Sequence, residues 1–124
     1  KNILIAVASN KAHEIMSPLM EHYFPGIHFA AALGNRKGVP TKPDPAIVKE
    51  ILQFTGISET QTLYVGDTSV DMKTATAAGI RKIGVLWGFR TKEELVSAGA
   101  DHLIEKPEEI LKIIDFYNSK SEEK

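Results

Sequence analysis

The sequence predicts an α/β fold, a parallel sheet with helices on both faces. Three observations carry that expectation. Strand-like and helix-like segments alternate along the whole chain, with no repeat, low-complexity tract or linker between them. The first strand-like segment, Ile3 to Ala8, is continuously apolar, as befits a strand covered on both faces. Pro45 and Pro107 stand where helices would begin, and Gly56, Gly79 and Gly99 where they would end. A chain of 124 residues suffices for one modest domain with a single core.

Taken in order, Ile3 to Ala8 is followed by Ser9 and Asn10, both good N-caps for the helical segment KAHEIMSPLMEHYF. There Ile15, Leu19 and Tyr23 recur at helical spacing, and Pro18 predicts a kink or a break. Phe29 to Leu33 reads as a short strand running into the loop GNRKGVPTKP. Asp44 can cap the next helix, Pro45 fits its first turn, and Ile47, Val48, Ile51 and Leu52 form its apolar face. Thr62 to Val65 is a strand, followed by a helix from about Val70 to Ala78 that Gly79 stops. Lys82 to Leu86 is another strand and leads into the loop WGFR, where Trp87 either lines a ligand site or packs on the sheet edge. Thr91 and Glu94 have the form of a capping box for a short helix ending near Gly99. His102 to Ile104 is a last strand, and Pro107 opens a final helix with Ile110, Leu111, Ile114 and Tyr117 as its buried stripe. Residues 1–118 form the domain in this reading, and the tail 119–124 is expected to fray.

Composition narrows the function classes. Fifteen Lys and Arg against sixteen Asp and Glu leave the chain near neutral, without a basic cluster suited to nucleic acid. The absence of cysteine excludes disulfides, thiolate zinc sites and cysteine nucleophiles. His13, His22, His28 and His102 lack metal-ligand spacing and read as surface or half-buried side chains. No apolar run approaches the roughly 18 residues of a membrane span, and no signal peptide opens the chain, so a cytoplasmic protein is expected. The opening KNILIAVASN has no Met and almost no lead-in before its strand, which looks like a start in mid-protein.

In a parallel α/β sheet, ligands bind at the carboxyl ends of the strands, so the polar residues there carry the chemistry. Ser9 offers a hydroxyl, and with Asn10 it offers backbone N–H groups at a helix start, either a phosphate cradle or a plain cap. Lys42 precedes the rigid Pro43-Asp44-Pro45 and is either a fixed ammonium facing a phosphate or a solvated surface lysine. Asp67 and Asp71 lie one helical turn apart after the strand LYVG. Two close carboxylates fit a hard cation such as Mg²⁺, or else a turn and a helix start favoured by its dipole. Neither GxGxxG nor GxxxxGK[ST] occurs, which leaves little for a nucleotide-binding or receiver-like domain.

Taken together, AVASNK, TKPDPAI, LYVGDTSVDMKTATAAGI and IGVLWGF resemble the haloacid dehalogenase superfamily of phosphohydrolases, closest to its phosphoglycolate phosphatase-like branch. The resemblance covers nearly the whole chain and implies a doubly wound, Rossmann-like sheet. It makes Ser9 the phosphate-binding hydroxyl of the second motif, with Asn10 beside it. It makes Lys42 the lysine that steadies nucleophile and phosphate, Asp67 a Mg²⁺ ligand and Asp71 the second acid that supports the site.

The family's first motif, DxDx(T/V), which carries the nucleophile and the acid–base aspartate, has no match here. Asp occurs at 44, 67, 71, 101 and 115 only, never as a pair one residue apart. In the family the strand bearing that motif lies between the strand ending at Ser9 and the strand ending at Gly66. The sheet is therefore expected to be incomplete, with two unpaired inner edges, and the cap that selects substrate is missing too. The expectation is the C-terminal part of the core of a Mg²⁺-dependent phosphatase for a small phosphorylated metabolite, working through an aspartyl-phosphate, and inactive alone. The missing N-terminal segment or another chain would complete the sheet. The rival is a non-catalytic remnant that acts as a binding or strand-exchange module.

Overall fold

A computed structural model describes residues 3–88 and 90–122. Five strands alternate with five helices: β1 (Ala6–Ala12), α1 (His13–Tyr23), β2 (Ala31–Asn35), α2 (Ala46–Thr55), β3 (Leu63–Gly66), α3 (Ser69–Ala78), β4 (Arg81–Val85), α4 (Lys92–Ser97), β5 (His102–Ile104) and α5 (Glu109–Glu122), with a 3₁₀ turn at Glu59–Gln61. Every ladder is parallel, as the sequence predicts.

The strands form two sheets. β1 pairs with β2, with Ala6 opposite Ala31, and β3, β4 and β5 pair in that order, with Leu63 opposite Arg81 and Ile83 opposite His102. Among the described residues no ladder joins β1 to β3, so each has one unpaired edge. This is where the family resemblance places the gap.

Side-chain packing spans the break on one face. Ile47, Val48 and Leu52 of α2, Ala78 at the end of α3 and Ile80 just beyond it are buried together, with Ala8 of β1, Leu33 of β2 and Tyr64 of β3 against them. Alternate residues of a strand point to opposite faces. Leu63 accordingly packs on the other side, with Ile83, Val85 and Ile104 under Ile110 and Ile113 of α5. The three-stranded sheet is thus covered on both faces.

Several local expectations are corrected. The first strand begins at Ala6, and Ile3, Leu4 and Ile5 are each about half exposed rather than covered on both faces. α1 starts at His13, so Ser9 and Asn10 do not cap it; Ala12 holds the cap position without a side-chain bond. The helix continues through Pro18, and it buries Met16 while Ile15, Leu19 and Tyr23 stay exposed. Only half of the capping box forms: the Thr91 hydroxyl accepts from the Glu94 N–H, while the Glu94 carboxylate accepts from the Ser69 N–H at the start of α3. In α5, Leu111 is exposed and Ile113 takes its place in the core. Trp87 is 52% exposed in the turn after β4 rather than packed away, and Phe89 of the WGFR loop lies outside the described residues. No helix among the described residues is long and apolar enough to cross a membrane.

Candidate active site

The strand ends and the loop at Lys42 meet through side chains. Asn10, near the end of β1, grips the backbone of residue 42 twice: Lys42 N–H donates to Asn10 Oδ1 at 2.9 Å, and Asn10 Nδ2 donates to the Lys42 carbonyl at 3.3 Å. The loop that follows is set by Asp44, whose Oδ1 accepts from the Ala46 N–H at the start of α2. With its backbone fixed, Lys42 extends its ammonium to Asp71 Oδ1 at 2.7 Å and to the Ala8 carbonyl at 3.4 Å. Both side chains of the pair are largely shielded, at 12% and 11% exposure.

Asp71 is the hub of the site. It stands in the first turn of α3, where Thr68 caps the helix by accepting the Asp71 N–H, and where the helix dipole favours a negative charge. Its Oδ1 accepts from Lys42 and from the Tyr64 hydroxyl at 3.3 Å; its Oδ2 accepts from the Asp67 N–H at 3.1 Å. Burial pushes its pKa up, but the Lys42 ammonium and the Asp67 N–H outweigh that and hold the carboxyl below its ordinary range. Tyr64 moves the opposite way, since burial and then the Asp71 charge make its phenol hard to ionise.

Gly66 lets this arrangement form. A Cβ there would overlap Asp71 Cβ and lie 2.6 Å from Oδ2. Gly88, after β4, has the same relation to Asp67: its Cβ would lie 2.7 Å from Asp67 Oδ2.

The two acids of the GDxxxD stretch therefore differ. Asp71 is committed to Lys42, Tyr64 and the Asp67 backbone. The Asp67 carboxylate has no hydrogen-bond or ion-pair partner among the described residues, and no group of three or more His, Asp or Glu suited to a metal occurs among them. Mg²⁺ is commonly held by one or two carboxylates together with water and phosphate oxygens. The Asp67 carboxylate could serve as one such ligand, whereas both Asp71 oxygens already have hydrogen-bond partners. Ser9 lies beside Asn10 on β1, within the strand rather than at a helix N-terminus, and its Oγ accepts the Lys11 N–H at 3.0 Å. Asn10, Lys42, Asp71 and the Asp67 backbone are thus brought together by direct bonds, with Ser9 adjacent along the chain.

Tyr64, Gly66 and Gly88 were not singled out by the sequence reading. Tyr64 carried a signal: it lies two residues before Gly66 on β3 and so shares the face toward α3. Gly88 carried none, because its closeness to Asp67 depends on how β3 and β4 lie side by side.

The model of the family described as "Haloacid dehalogenase-like hydrolase" matches residues 1–85. The chain is 28% identical over 123 residues to a phosphoglycolate phosphatase of Pectobacterium atrosepticum, covering 99% of this chain and 53% of that protein. A probable phosphoglycolate phosphatase of Pseudomonas putida is 30% identical over 89 residues, 72% of this chain and 36% of its own length. Among solved structures, one assigned as a phosphoglycolate phosphatase from Lactobacillus delbrueckii subsp. bulgaricus superposes with a TM-score of 0.84 at 34% identity, over 90% of this chain and 46% of that one. A predicted phosphatase from Clostridium acetobutylicum superposes at 0.81 with 25% identity, over 90% and 52%. The chain spans about half the length of these relatives or less.

Proposed function

The chain belongs to the haloacid dehalogenase-like hydrolases, and on that premise we propose that it is the C-terminal part of the core of a Mg²⁺-dependent phosphomonoesterase. The substrate class is a small phosphorylated metabolite of the phosphoglycolate kind, the compound in the names of the relatives. The Lys42–Asp71 pair, 2.7 Å apart and shielded at the strand ends, is the observation that carries this reading. An ammonium fixed there can offset the charge of a phosphate and of a carboxylate attacking it. Asp71 supports catalysis by holding Lys42. Asn10 fixes the loop on which Lys42 stands and, with the Ser9 hydroxyl, faces the phosphate. Asp67 is this chain's ligand for Mg²⁺, which when bound would stabilise charge on a phosphoryl oxygen.

The nucleophile of an aspartyl-phosphate route lies outside these residues. Asp71 is engaged by Lys42, and Asp67 is assigned to the metal, so neither is free to attack. A strand entering between β1 and β3, parallel to both, would satisfy their open edges and bring a carboxylate to the ends where Lys42 and Asp67 stand. The 124 residues alone are inactive on this reading, and the working protein is cytoplasmic, with a small-molecule substrate and no nucleic acid or membrane partner.

The test is an assay of the full-length parent on phosphoglycolate with Mg²⁺ titrated, beside the 124-residue chain. Asp67→Asn should raise the Mg²⁺ requirement about tenfold or more and cut turnover. Unchanged turnover and metal response would remove Asp67 from the site, and turnover by the 124 residues alone would refute the divided nucleophile. The unpaired edges of β1 and β3 favour one rival, a non-catalytic module that takes a strand from another chain. A stable dimer or heterodimer in light scattering, with no turnover from the parent, would support that rival; a clean monomer would count against it.

A further inference from the structure

We propose that Tyr64 is a positioning residue of this site: its hydroxyl, bonded to Asp71 Oδ1, locks the carboxylate that holds the Lys42 ammonium beside Ala8 of β1. The inference rests on the catalytic reading of Lys42 and Asp71 and deepens it.

The argument begins with the carboxylate. Its terminal torsion is broad and roughly two-fold, so the acid does not orient itself. Asp67 N–H fixes Oδ2 from the strand side. On Oδ1 the Lys42 donor sits at the tip of a flexible four-carbon stem, which can follow a turning carboxylate instead of restraining it. Tyr64 supplies the rigid partner. Its ring has only two side-chain torsions and packs against the buried cluster of Ile47, Val48, Leu52, Ala78 and Ile80. The hydroxyl thus reaches Asp71 from a fixed base, and that base is β3, the strand that ends just before Asp67.

Packing alone does not call for the hydroxyl. Phenylalanine would fill the same volume without placing a polar atom at the edge of a core, and Asp71 is the partner that the hydroxyl finds. Nor is Tyr64 suited to accept a proton in catalysis, since burial and the Asp71 charge keep the phenol protonated. It acts as a donor to the carboxylate. Through Asp71 one chain of bonds then links Asp67, just after β3, to Lys42 beside β1, across the break between the sheets.

Tyr64→Phe keeps the ring and removes the bond. In the full-length parent, isotope-labelled, the Lys42 ammonium protons should exchange faster with water in the variant, because the carboxylate that holds them is less restrained. The same change should lower kcat about tenfold, the worth of one hydrogen bond to a charged group. KM should stay within about twofold, because the ammonium is displaced without being removed. Unchanged Lys42 exchange would overturn the proposal, whatever the parent catalyses. Faster exchange with unchanged kcat would overturn the positioning role. Should Tyr64→Phe fail to fold, Asp71→Asn gives the reciprocal reading: the Tyr64 hydroxyl proton should then exchange faster with water, and unaltered exchange would overturn the contact. A parent with no phosphatase activity would refute the proposed function while leaving the exchange to decide whether Tyr64 holds Asp71.

Discussion

Asp71 makes the acid branch of stability predictable in sign. Its native carboxyl is held below the ordinary value of 3.8, chiefly by Lys42 against the opposing effect of burial. In the acid range the unfolded chain therefore binds the proton more tightly than the native one. The contribution is complete above about pH 4 and is lost as pH falls through the lowered native value. Between pH 7 and 3 the chain should lose more stability than its Asp71→Asn variant, measured by denaturant midpoints; equal losses would mean that Asp71 is not held low. Gly66 gives a second test. A methyl there overlaps Asp71 Cβ, so strand, helix or carboxylate must shift, and Gly66→Ala should cost roughly 1–3 kcal/mol. An unchanged midpoint would show that the site yields freely. Lys42, Asp67 and Asp71 were legible as single letters because their neighbours, KPDP and VGD, are distinctive. Their partners were less so: that Asp71 pairs with Lys42 depends on a contact between residues 29 positions apart.

At the scale of elements, legibility followed how local the determining physics is. α2 was read almost residue for residue: its four buried apolar positions and its left-handed glycine stop at Gly56 are all set within one short segment. Gly79 ends α3 in the same way. α1 was misread where local signals competed with tertiary ones. Ser9 and Asn10 are good caps by type, yet β1 extends to Ala12, where Asn35 of β2 lies opposite, and Asn10 turns instead to the Lys42 backbone. Glu94 left its own capping box for the start of α3 in the same manner. Leu95, one residue on, has no exposed surface and lies near Gly84, where a Cβ would come within 3.1 Å of Leu95 Cδ1. Removing it leaves a cavity between α4 and the sheet. Leu95→Ala should therefore cost about 2–5 kcal/mol, visible as a fall in thermal midpoint. A small loss would mean that α4 settles inward to fill the space.

Over the whole molecule, the unpaired edges of β1 and β3 are the open question that the architecture poses. Among the described residues, five parallel strands and a shared core on one face argue for a single sheet, yet no ladder joins β1 to β3. A free edge exposes backbone groups that water satisfies only until a strand displaces it, and the apolar surroundings make that exchange favourable. Ile3, Leu4 and Ile5 before β1 and Val65 in β3 are exposed, which is costly for apolar side chains that could be buried. The alternation of strand and helix made the gap legible in outline, while the lateral order of strands came only through the family resemblance, since neighbouring strands need not be neighbours in sequence. Amide hydrogen exchange tests the consequence directly. In the 124-residue chain the amides of β3 that do not bond to β4, and those of β1 that do not bond to β2, should exchange rapidly, while the β3–β4 ladder stays protected. In the full-length parent the same edge amides should slow together, as one cooperative group, because a single inserted strand covers both. If they are already slow in the short chain, β1 and β3 have closed on each other or on a second copy, and the slot for a nucleophile-bearing strand does not exist.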